Sequence, residues 1–205
     1  MLIPMATFDP TSDADLVKAS DHVAYECKML RRTFDMLWRL VADPAKMGTT
    51  PGLRQALMES FIIHARALRY FFWTSAADRK HSLDPLATDY INDWLTKVPA
   101  CTITQDEYNR MHREIAHISA ARFDLKPGEP QWDFAKILGA LNPAIDLFFE
   151  KVDPERLSQD VRASIQQQPG AGAFKSVRVQ LTVDSLACSN VADQQSFVLH
   201  IPGKA

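Results

Sequence analysis

Glycine is scarce in this chain, seven among 205 residues, and none of it forms the glycine-rich turn that cradles a phosphate. No Gly-x-Ser-x-Gly elbow occurs, so nucleotide-fold and hydrolase-fold readings have no support. Cysteine is scarcer still. Cys27, Cys101 and Cys188 are odd in number and widely separated, which indicates neither a disulfide framework nor a zinc site and fits a reducing cytoplasm. No apolar run approaches the ~20 residues that cross a bilayer. The N-terminal MLIPMATFDPTSDAD has no basic region followed by an apolar core, so a soluble, unexported protein with no membrane partner is expected. Excess charge is missing as well: the formal net charge is −2, and any polyanion must be met by a local cluster rather than by the whole surface.

What the chain does have is helical periodicity. Its length favours one principal domain. After Asp9-Pro10, with Thr11 or Ser12 as cap, Leu16, Val23, Cys27, Leu30, Phe34, Leu37 and Val41 recur at helical spacing. The pattern predicts one long helix over 13–42, stopped at Asp43-Pro44 because the ring disfavours helical geometry before it. Lys28, Arg31, Arg32 and Arg39 read as its wet face. A second helix is predicted over 53–73, with a seam of Leu57, Phe61, His64, Leu68 and Phe71. His64 thus stands where an apolar knob belongs. It is either a core-edge imidazole bonded to a carbonyl or carboxylate, the commoner outcome for a buried polar group, or a ligand-contacting one. Arg66 and Arg69 leave the seam, with Glu59, Asp84 and Asp89 as expected partners.

Between Thr74 and Cys101 the pattern weakens, and 88–95 predicts a short helix burying Tyr90, Ile91, Trp94 and Leu95. Further on, a helix is predicted to begin near Gln131 and to carry Trp132, Ala135, Leu138, Leu141, Ile145 and Phe148, with a kink at Pro143. Asp153-Pro154 is a restart signal, followed by a short helix bearing Leu157, Val161 and Ile165. The stretch 166–174 reads as a linker. Beyond it Val177, Val179, Leu181 and Val183 alternate with polar residues, as do Phe197, Leu199 and Ile201, which predicts two half-buried strands. The expected fold is mainly α: an up-and-down helical bundle over 1–165, the linker, and a small C-terminal β-hairpin over 175–205.

The stretch 104–122, TQDEYNRMHREIAHISAAR, carries the chemistry. Thr104 and Glu107 form a capping box, and Tyr108, Met111, Ile115 and Ile118 make one apolar stripe. Arg110 and His117 lie off that stripe. Seven residues apart, they fall within about 20° of one face and their Cα atoms about 10 Å apart. A guanidinium and an imidazole on that face can meet over one ligand, with Glu114 between them. His112 and His117, by contrast, are turned about 140° from one another, unlike the i, i+4 pair of a zinc helix. No metal and no cofactor is expected.

An Arg, a short gap and a His on a helix of a bundle resembles the HEPN superfamily. More closely, ESFIIHARALRYFFW (59–73) and NRMHREIAHISAAR (109–122), followed by Trp132, resemble a group of bacterial helical proteins with no established activity. The HEPN resemblance implies a metal-independent endoribonuclease of a bacterial defence or toxin–antitoxin system. It implies that Arg110 binds the scissile phosphate and that His117 acts as general acid or base, with Glu114 beside them. It also implies a homodimer in which two copies of the motif meet. The chemistry is sound, since a guanidinium forks onto phosphate oxygens and an imidazole titrates near neutrality. His64, Arg66, Arg69, Arg113 and Arg122 are then the expected substrate-binding groups, and RNA the expected partner. A second reading is a non-catalytic helical module that binds a partner protein or its own copy. A third is a small-molecule pocket lined by Trp73, Trp94 and Trp132 around His64, though aromatics at such spacing more often form core.

Overall fold

The computed structural model describes residues 9–42, 51–115 and 132–166. Within them the protein is a helical bundle: α1 Asp13–Ala42, α2 Pro51–Trp73, the single turns α3 Ala87–Tyr90 and α4 Trp94–Lys97, α5 Gln105–Ile115, α6 Phe134–Lys151 and α7 Gln159–Gln166. Among the described residues there is no strand, and no helix is long and apolar enough to cross a membrane. The expected linker and β-hairpin lie outside them.

The frame is the pair α1 and α2, which share the most extensive interface in the bundle. Ser12 caps α1, its Oγ accepting from the Asp15 N–H at 3.4 Å. The apolar stripe of α1 (Leu16, Val23, Cys27, Leu30, Leu37) is buried against that of α2 (Leu57, Phe61, Leu68), as the periodicity predicts. Each such side chain contributes about 1.5–3 kcal/mol on burial. α6 closes the core through Phe148, whose ring lies edge-on to Phe71 at 5.3 Å and to Tyr90 at 5.4 Å. Ser158, before α7, donates its N–H to Ser20 Oγ of α1 at 2.9 Å.

Four expectations need correction. Arg31 does not belong to the wet face of α1. Its Nε donates to Asn142 Oδ1 at 2.9 Å and its Nη2 to Asp146 Oδ1 at 3.0 Å, both on α6. Burial holds the Arg31 guanidinium below its ordinary pKa, against the pull of Asp146. The helix expected over 88–95 is two separate turns, broken where Asp93 adopts the left-handed conformation at φ 57°. That break buries Trp94 and leaves Leu95 41% exposed. Trp132 precedes α6 rather than riding on it, because Asp133 is the cap, accepting from the Lys136 N–H at 2.8 Å. Asp153-Pro154 starts a 3₁₀ turn, Pro154–Arg156, and the helix itself begins later, at Gln159.

Candidate functional site

The capping box at the start of α5 forms as its residue types require. Thr104 Oγ1 accepts from the Glu107 N–H at 3.2 Å, while Glu107 Oε2 accepts from the Thr104 N–H at 2.8 Å. Glu107 also takes the Lys136 ammonium of α6 at 2.6 Å. This anchors α5 between α2 and the start of α6. Tyr108 and Met111 enter the core, and the remaining side chains divide between two flanks and an outer face.

On the flank toward α2 lie Arg66 and Arg69. Arg66 Nη1 is 3.1 Å from His112 Nδ1. The Arg69 guanidinium sits 4.0 Å from the centroid of the Tyr108 ring, and its Nη2 donates to Gln105 Oε1 at 3.2 Å. Its Nε is buried without a hydrogen-bond partner among the described residues. Neither cation takes the carboxylate expected for it. Asp89 is held by Arg79, and Glu59 accepts from Gln55 at 2.8 Å. Burial raises the Tyr108 phenol above its ordinary pKa even against the opposing pull of Arg69 and Arg66, so the ring is a neutral platform for the guanidinium. The Tyr108 ring also meets the imidazole of His112 in a T-shaped contact, with centroids 4.9 Å apart.

On the opposite flank Arg110 lies over the ring of Trp132, 4.1 Å from its centroid. Guanidiniums are attracted to indole faces in this way by the ring quadrupole. Between the flanks, Gln105, Asn109 and Arg113 are exposed on the outer face of α5. His117, Arg122 and the side chain of Glu114 lie outside the described residues, so the expected meeting of Arg110 with His117 falls there too.

His64 is buried, 7% exposed, and its Nδ1 lies 2.7 Å from Glu26 Oε2. The Tyr25 ring meets its edge at 5.9 Å. It is thus a core-edge imidazole bonded to a carboxylate. The three tryptophans do not gather around it. Trp94 Nε1 donates to the Phe72 carbonyl at 2.6 Å, Trp73 Nε1 to that of Pro99 at 2.9 Å, and Trp132 meets Arg110.

A cleft of about 400 Å³ opens between α1, α2, the loop 80–85 and α5. Glu26 and Arg66 line it together with His22, His81 and His112. In the sequence His81 has no useful neighbour in its own segment, and His22 has one. One signal was available: His22 and Glu26 are four apart on α1, hence on one face. Among the described residues, no three His, Cys, Asp or Glu side chains come together as a metal site would need. No family model matches the chain, and neither a curated protein nor a solved structure matches it.

Proposed function

We propose that this chain is an HEPN-like helical protein that binds single-stranded RNA across the outer face of α5 and cleaves it without a metal, as a defence effector or toxin. One observation carries the reading: that face runs between two guanidinium–aromatic stacks, Arg69 on Tyr108 and Arg110 on Trp132. Guanidiniums are the side chains that both fork onto phosphate oxygens and pair with planar rings and bases. Planar stacking and backbone charge are how proteins take hold of unpaired RNA. Arg113 and Asn109 lie exposed between the stacks, where a strand passing from one to the other meets them. In this reading Arg110 holds the scissile phosphate, His117 moves the proton with Glu114 beside it, and Arg122 adds charge. A second copy of the motif in a homodimer supplies the other proton-transfer group, because cleavage at a 2′-hydroxyl needs both an acid and a base.

The test uses the full chain and a labelled single-stranded RNA in excess chelator. Cleavage that persists with chelator and disappears in both Arg110→Ala and His117→Ala, with helical content unchanged by circular dichroism, is the expected result. RNA bound but not cut by the native chain favours a binding module. No binding to RNA removes the proposal.

A further inference from the structure

The cleft on the α1 and α2 flank of α5 points to a second ligand, distinct from an RNA strand on the outer face. We infer that it binds a small phosphorylated sugar or polyol.

Its cations are the first reason. Arg66 spends its hydrogen bonding on His112 Nδ1, at 3.1 Å, an acceptor that leaves the positive charge unbalanced. Lys80 stands at the rim on the loop, and its Nζ makes no ion pair among the described residues. That loop is fastened to the wall, since the Lys80 N–H donates to the Tyr70 hydroxyl at 2.8 Å. Exposed imidazoles stand beside them, His22 from α1 and His81 from the loop. These donors come from three elements, α1, α2 and the loop, around one cleft. A carboxylate offers two coplanar oxygens, whereas a phosphate monoester offers three arranged in a tetrahedron, and an Arg fork with a Lys point charge is the usual pair for it.

The carboxylates are the second reason. Glu26 and Asp84 line the same cleft, and a site built for a long polyanion would not carry them. Facing a compact ligand with hydroxyl groups they are useful, because a carboxylate only accepts and a hydroxyl donates. Glu26 is already oriented by His64, at 2.7 Å. Val23, Phe71 and Pro85 supply the apolar wall against which the carbon face of a sugar rests. The volume falls in the range of small-ligand sites.

The experiment is calorimetric titration of the full chain with ribose 5-phosphate, ribose and inorganic phosphate. Ribose 5-phosphate is expected to bind saturably, and ribose and inorganic phosphate each at least about tenfold more weakly, the scale of one lost charge-assisted hydrogen bond. Lys80→Gln, at an exposed position that cannot unfold the chain, and Arg66→Gln should each weaken ribose 5-phosphate about tenfold, while Arg113→Gln should not. A 5′-phosphorylated oligoribonucleotide identifies the source. Weaker binding than the free sugar phosphate assigns the cleft to a small ligand, whereas tighter binding that needs the 5′-phosphate and is weakened by Lys80→Gln shows it taking an RNA end through the same phosphoribose chemistry. The inference is overturned if no phosphorylated sugar binds at millimolar concentration, if ribose or inorganic phosphate binds as well, or if both cleft variants behave like the native chain. RNA cleavage is a separate readout, so either proposal can fail alone.

Discussion

Arg66 Nη1 and His112 Nδ1 stand 3.1 Å apart, one guanidinium against one imidazole nitrogen. A guanidinium has donors only, so the imidazole nitrogen must accept. It follows that His112 is neutral in this arrangement and carries its proton on Nε2. Long-range proton–nitrogen correlation spectra of the native chain should show an unprotonated Nδ1 for His112, and Arg66→Met should release that preference. An imidazolium signature, or a proton on Nδ1 at neutral pH, would contradict the pairing.

Two carboxylates should move the acid stability of the bundle in opposite directions. Partial burial pushes the Glu107 carboxyl up, but the Lys136 ammonium and the bonds from Thr104 outweigh it, and the net shift is downward. A lowered folded value means that the contribution is complete above the ordinary carboxylate range and is lost as pH falls through the folded pKa. Burial raises Asp146, and Arg31 offsets this only in part. A raised folded value means that the contribution is complete below the ordinary value and is lost as pH rises through the folded one. Urea unfolding of the native chain, Glu107→Gln and Asp146→Asn across the range where carboxylates titrate tests both. With rising pH the native advantage over Glu107→Gln should grow, and that over Asp146→Asn should shrink. Parallel pH trends would count against this assignment.

Cys27 should resist chemistry that reaches Cys101. Its side chain is fully buried between α1 and α2, and burial, countered by the nearby Arg31, pushes its thiol up to about 12. The thiolate is the reactive form, so Cys27 has neither access nor charge. Cys101 is only half-buried, with Sγ 3.5 Å from the Ile103 carbonyl. Alkylation of the folded chain followed by peptide mass analysis should label Cys101 first and Cys27 only once denaturant is added. Equal labelling rates in the native state would mean that α1 and α2 part more readily than their packing allows.

The long helices were legible because each carries its own punctuation. α1 ends at Ala42, the residue before Asp43-Pro44 in the sequence, and Thr104 with Glu107 opens α5 through bonds the residue types dictate. Groups that meet across the bundle were not legible. Glu26, Arg66, Lys80 and His112 come from separate segments, and each looks like a solvated side chain in its own. Arg31 is the instructive case. It follows Cys27 by four residues, on the edge of the buried stripe, but only α6 supplies the amide and carboxylate that draw it inward. For the candidate site, the sequence identified Arg66, Arg69 and Arg110 as cations to watch. The rings beneath Arg69 and Arg110, Tyr108 and Trp132, follow from packing.

Asp93 offers a test of why the predicted helix over 88–95 divides. Its φ of 57° places it in the left-handed region, where it precedes α4 without lending its side chain as a cap. The carbonyl does the work instead, accepting from the Thr96 N–H at 3.0 Å and from Thr96 Oγ1 at 2.7 Å. A side chain with a Cβ costs roughly 1–2 kcal/mol in this conformation, Asp and Asn being the more tolerant types, and a β-branched one is a true outlier there. Since no cap bond is lost, Asp93→Gly should match the native chain in urea unfolding or exceed it slightly, whereas Asp93→Val should lower stability by about 1–2 kcal/mol. At an ordinary exposed position the order would be reversed, because glycine gives up the most conformational freedom on folding. Trp94 reports on the same event: its indole donates to the Phe72 carbonyl at 2.6 Å, and that bond depends on the turn at Asp93 aiming it inward. If valine were tolerated as well as glycine, with Trp94 fluorescence unchanged, the left-handed turn would not be what separates α3 from α4.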